Sequence, residues 1–202
     1  MMDVSVKGDY DLLSGIDWNS IRTIIDVGAH VGSFTVWASH RAIHAQVVAV
    51  EPNPEVWPFL VANVNRNDLR ERVLALQLAV GEREGSAFIA VNEQSGEARV
   101  VPGDDGSRPM VRVTTLRNLM LDETLSAVDL VKLDCEGAEY GILLSAPTEV
   151  LQRINALVCE YHPVVGHHVS ELVGVLKDAG FQVRVQPRRN DIELGTLLAH
   201  RG

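Results

Sequence analysis

From Ile21 onward, short runs rich in valine and isoleucine alternate with stretches of helical period, and this alternation admits few folds. Strands so poor in polar residues need cover on both faces, which is the βαβ arrangement of a parallel sheet flanked by helices. Runs at 23–27, 46–51, 73–80, 128–134 and 155–161 read as five such strands. Between them, helices are expected over 33–42, where Phe34, Trp37, Ala38 and Arg41 fall at helical spacing, and over 138–144. Another should open with Asn53 as N-cap and Pro54 at the first helical position and run through Phe59, Leu60 and Asn63. A helix over 169–179, closed by Gly180, precedes two last strands, 181–185 and 193–199. Their polar connection, 187–191, is too short for a parallel crossover, so this pair should be an antiparallel hairpin.

After Gly81 the pattern changes to extended pieces at 87–91, 98–101 and 111–114, so the insert 86–113 reads as β-structure or ordered loop. Within it, 102–109 holds two prolines, two glycines and two aspartates and is the candidate mobile loop. With 202 residues, 46% of them hydrophobic, the chain can bury one sizeable core, and a single domain over 1–202 is expected, 1–20 forming a short N-terminal lid segment. The 18 Lys+Arg against 27 Asp+Glu give a net charge of −9, which repels phosphate backbones and argues against a nucleic-acid partner. Arg188 and Arg189 read as a solvated turn. No apolar run is long enough to span a membrane, no signal-peptide pattern opens the sequence, and Cys135 and Cys159 form no CxxC pair. A cytoplasmic location is the expectation.

In open α/β sheets, ligands bind beyond the carboxyl ends of the strands. Those ends read Asp26-Val27-Gly28-Ala29-His30-Val31-Gly32, Glu51-Pro52-Asn53, Asp134-Cys135-Glu136-Gly137 and Glu160-Tyr161-His162. Gly28 and Gly32 permit a tight bend with backbone close to a ligand. His30 replaces the second glycine of a dinucleotide fingerprint, and Asp26 adds negative charge, so a pyrophosphate would be poorly served. A cationic ligand with a ribose, such as S-adenosylmethionine (SAM), suits the turn better. Glu51, 19 residues beyond Gly32, could take both ribose hydroxyls.

Three stretches carry a family resemblance: 25–35 around the glycine turn, Val50-Glu51-Pro52-Asn53-Pro54, and 129–139 with its KxDxEGxE string. They resemble the FkbM-type methyltransferases, SAM-dependent enzymes that mostly methylate hydroxyl oxygens of natural products and sugars. Ala79-Val80-Gly81, Val113-Thr114-Thr115-Leu116 and Glu160-Tyr161-His162 follow in order, so the likeness runs from about 23 to 200. It implies a Rossmann-like class I methyltransferase fold, seven strands in the order 3-2-1-4-5-7-6 with the seventh antiparallel and helices on both faces. It also implies that Asp26, Gly28, Ala29, His30 and Gly32 hold the methionine end of SAM, Glu51 the ribose, and Asn53, Ala79 and Val80 the adenine. Two positions depart from the pattern: His30 stands where Asn is common, and Arg117 where Asp is.

Methyl transfer needs an oriented acceptor and an outlet for its proton. His162 is the expected base, because imidazole needs little perturbation to act near neutral pH, and Asp134 and Glu136 are expected to orient the acceptor hydroxyl and the SAM amino group. Alternatively Asp134, Glu160 and His162 could hold Mg2+. Lys132 and Glu139 read as ion-pair residues under the site, His167 and His168 as surface histidines, Trp37 and Trp57 as packing residues, while Tyr10 and Trp18 could belong to the lid. So short a lid implies a bulky small-molecule acceptor or a homodimer whose second subunit completes the pocket. A SAM-binding partner protein without turnover and a nicotinamide-dependent oxidoreductase remain the alternatives.

Overall fold

The computed structural model describes residues 13, 15–91, 98–101, 108–188 and 191–201. The chain order is β1 (Thr23–Val27), α1 (Ser33–Arg41), β2 (Gln46–Val50), α2 (Trp57–Arg66), β3 (Val73–Leu76), β4 (Ala79–Val80), β5 (Gly85–Val91), β6 (Ala98–Val101) and β7 (Met110–Thr114). There follow α3 (Leu116–Asp122), β8 (Val128–Leu133), α4 (Glu139–Ser145), α5 (Thr148–Leu151), β9 (Ile154–Tyr161), α6 (Val169–Asp178), β10 (Gln182–Arg188) and β11 (Asp191–His200).

The main sheet has seven strands in the order β3-β2-β1-β8-β9-β11-β10. Neighbours from β3 to β9 pair in parallel, and β11 runs antiparallel to both β9 and β10, as the short hairpin connection requires. Numbered without the insert strands, this is the 3-2-1-4-5-7-6 order expected of the fold. Side chains alternate between the two faces: Ile24, Val47 and Leu130 pack with Phe34 and Ala38 of α1 and Leu60 and Val64 of α2. Ile25, Val48 and Val131 face the other way, into Leu119 and Met120 of α3, Ile142 and Leu143 of α4, and Leu172 and Leu176 of α6.

Several expectations need correction. The third strand is broken: β3 stays in the main sheet, while β4 leaves it to pair with β7 in a second sheet of order β4-β7-β5-β6. The insert is therefore a small sheet of its own, with Ala79, Ile89 and Val111 forming a separate buried cluster on it while Val80 packs into the main core. Asn53 does not cap α2; its Oδ1 accepts from the Glu55 amide at 2.9 Å in a turn, and the helix begins at Trp57 with Pro58 in its first turn. Sequence reasoning missed α3, whose Thr115 hydroxyl accepts from the Asn118 amide at 3.1 Å, and the single turn of α5. The strands of the last hairpin reach further than expected, through Arg188 and from Asp191.

Most of the expected mobile loop, at 102–107, lies outside the described residues, as do Tyr10, most of the lid segment and Arg189. Trp18 is described, and it belongs to the body: its ring meets that of Trp37 edge-on at 5.1 Å, with the Arg41 guanidinium over Trp37 at 4.1 Å. Trp57 also packs against the α1/α2 core, as expected. Among the described residues, no helix is long and apolar enough to cross a membrane.

Candidate active site

Because β9, β8, β1 and β2 are adjacent and parallel, their carboxyl ends open onto one edge of the sheet. After β1 the chain turns tightly: the amides of Gly28 and Ala29 both donate to the Val50 carbonyl, at 3.0 and 2.9 Å. Gly28, His30 and Gly32 all have positive φ, at 74°, 52° and 87°. The glycines answer to protein neighbours. A Cβ on Gly28 would lie 1.8 Å from the Asp134 carbonyl oxygen, and one on Gly32 would lie 2.7 Å from Leu60 Cδ1. Close passage of the end of β8 and of α2 is what these positions require. Ala29 is buried beside the turn, and His30 is exposed.

This turn fastens Glu51, at the tip of β2. Glu51 is buried; its Oε2 accepts from the His30 amide and its Oε1 from the Asn53 amide, both at 2.8 Å. Burial raises its pKa, while those two hydrogen bonds and the charges of His30 and Lys132 pull the other way. Each carboxylate oxygen has a further lone pair, so the fixed group can accept from two adjacent hydroxyls. Ala79 and Val80 are buried where the chain passes from one sheet to the other.

Asp26 is not placed to touch a ligand. It has no exposed surface; its Oδ2 accepts from the Thr35 hydroxyl at 2.5 Å, and its Oδ1 lies 3.1 Å from Lys132 Nζ. Lys132 also donates to the Gly28 carbonyl at 2.6 Å and reaches Asp134 Oδ2 at 3.5 Å. It thereby fixes the glycine turn to the end of β8, the ion-pair role expected of it. Thr35 was missed, since a threonine inside an amphipathic helix gives no sign of a partner nine residues earlier.

The other wall of the site is acidic. Beyond β8, Glu136 and Gly137 take positive φ, 53° and 103°, and both amides flanking this bend are held by one side chain. Glu139, with no exposed surface, accepts from the Cys135 amide at 2.7 Å and from the Gly137 amide at 2.9 Å. Its Oε1 also meets His162 Nδ1 at 3.1 Å, and His162 Nε2 lies 3.5 Å from Glu136 Oε2. Asp134, Glu136 and His162 thus offer oxygen and nitrogen atoms within 4.8 Å of one another. Glu160, expected to join Asp134 and His162, instead pairs with Arg188 at 2.9 Å.

His162 is not the near-neutral imidazole anticipated. Burial disfavours its charged form, but the hydrogen bond to Glu139 and the charges of Glu139, Glu136 and Asp134 outweigh this and raise its pKa to about 9. Outside the site, His168 caps α6, its ring accepting from the Ser170 amide while its own amide donates to Glu171. His167 pairs with Glu171 at 2.9 Å and stacks on Tyr140.

The model of the methyltransferase FkbM domain matches residues 26–183. AMB antimetabolite synthetase AmbE of Pseudomonas aeruginosa is 26% identical over 81% of this chain, which spans only 10% of that protein. The 31-O-demethyl-FK506 methyltransferase FkbM of Streptomyces tacrolimicus is 25% identical, with 85% of this chain and 77% of the relative covered. Among solved structures, methyltransferase FkbM from Methylobacillus flagellatus superimposes with a TM-score of 0.61 at 16% identity, covering 89% of this chain and 44% of that one.

Proposed function

Because the chain belongs to the FkbM methyltransferase family, we propose that it transfers the methyl group of SAM to a hydroxyl of a small natural product, sugar or glycoside. The observation that carries this reading is Glu51, a buried carboxylate at the tip of β2 whose two oxygens are fixed by the amides of His30 and Asn53, ready for a ribose diol. The charge of the site fits the same cofactor. Asp134, Glu136 and Glu139 create a field negative enough to keep His162 protonated, which favours a ligand bearing sulfonium and ammonium and opposes a dinucleotide pyrophosphate. The turn 28–32 would take the methionine end, Glu51 the ribose, and Asn53, Ala79 and Val80 the adenine. When bound, SAM supplies an electrophilic methyl group.

On the acceptor side, Asp134 and Glu136 orient the incoming hydroxyl, and His162, once deprotonated, takes its proton. The Mg2+ set implied by the sequence does not come together: Glu160 is engaged by Arg188, Asp134 already shares the Lys132 ammonium, and Glu136 is the residue that stands beside Asp134 and His162 instead. The test is calorimetric titration with S-adenosylhomocysteine (SAH), with NADH as control. The wild type should bind SAH at micromolar concentration and ignore NADH, and Glu51→Ala should weaken SAH ten- to hundred-fold, about 1.5–3 kcal/mol. Absence of SAH binding by the wild type would overturn the proposal.

A further inference from the structure

We propose that Glu139 is a positioning residue for His162, fixing the imidazole so that Nε2 is the atom that receives the acceptor's proton; this rests on the methyl-transfer reading. The geometry is specific. Glu139 sits at the start of α4 with no exposed surface, and one carboxylate serves the Cys135 amide, the Gly137 amide and His162 Nδ1. Holding the bend after β8 needs only the two backbone contacts. The third ties that bend to the end of β9, and it selects a tautomer: a carboxylate offers acceptors, so Nδ1 must carry the hydrogen. The lone pair of the neutral ring is then on Nε2, on the side of Glu136 and away from the buried acid.

In the reaction the oxygen–methyl bond forms as the sulfur–methyl bond breaks, and the electron pair returns to sulfur. The hydroxyl proton passes to Nε2, and the resulting imidazolium keeps its Nδ1–H on Glu139. Among the described residues, three carboxylates face His162: Glu139 through Nδ1, Glu136 through Nε2, and Asp134 from beyond the end of β8. The roles of Glu139 and Glu136 separate experimentally, because Glu139 hydrogen-bonds Nδ1 at 3.1 Å and outweighs Glu136, which stands further off, 3.5 Å from Nε2.

The experiment is 15N NMR of the full chain labelled at histidine, titrated without cofactor. Above its transition, wild-type His162 should be the neutral Nδ1–H tautomer. Glu139→Gln should lower the midpoint by about one pH unit or more and admit the Nε2–H form, whereas Glu136→Gln should lower the midpoint and keep the tautomer. An Nε2–H tautomer in the wild type overturns the inference without any variant, as does an unchanged titration and tautomer in folded Glu139→Gln. SAH calorimetry of the wild type reads the methyl-transfer proposal separately, so the two can fail independently.

Discussion

Asp26 and Lys132 face each other in the register of β1 and β8, with Oδ1 and Nζ 3.1 Å apart and both residues out of water. Breaking such a pair from one side leaves an uncompensated buried charge. Lys132→Met is therefore expected to cost about 3–5 kcal/mol in urea unfolding. A loss under about 1 kcal/mol would show that the site does not depend on this ion pair.

The two glycines of the first turn should differ in what they tolerate. Alanine at 28 would drive its Cβ into the backbone just beyond β8, at 1.8 Å from the Asp134 carbonyl oxygen, whereas alanine at 32 meets the tip of the Leu60 side chain at 2.7 Å. Both carry the strain of positive φ. Gly28→Ala should thus be the more damaging by about 2 kcal/mol or more, read as the difference in thermal unfolding. Equal losses would mean that β8 moves aside as easily as a leucine methyl.

The raised pKa of His162 makes a prediction with a definite sign. Its folded value, about 9, exceeds its unfolded value near 6.5, so protonation favours the folded state. The stabilisation is complete below pH 6.5 and disappears as pH rises through 9. Relative to His162→Gln, the wild type should lose about 2 kcal/mol of advantage between pH 6 and pH 9.5 in urea titrations, a figure reduced for partial solvent screening. A gap that does not narrow would contradict the acidic surroundings described.

Much of the main sheet could be read directly, because short runs enriched in Val and Ile favour buried strands over helices and a short polar connection forces the last pair antiparallel. The broken third strand could not: apolar residues continue through Leu76, Leu78, Ala79 and Val80, and only pairing of Ala79 and Val80 with Val113 and Thr114 reveals the change of sheet. Helix α3 was legible in principle, since Thr115 precedes Leu116, Leu119 and Met120 at helical spacing. In the site, Glu51, Asp134 and His162 announce themselves as polar residues at strand ends. The burial of Asp26 does not, because its partner is 106 residues away and only strand register brings them together. Glu160 misled for the same reason, its partner Arg188 being supplied by the hairpin.

Although β11 follows β9 and β10 in the chain, its place is inside the sheet, between them. A ribosome making this chain therefore releases β9 and β10 before the strand that joins them exists. Until then, the β9 backbone groups that will bond 195–200 have no permanent partner, and Leu157, Cys159 and Tyr161 lack part of their final cover. The acidic wall of the site, with His162 directly beyond β9, cannot be rigid during that interval. Nascent chains stalled before residue 191 should accordingly be the species most open to chaperones and to mispairing.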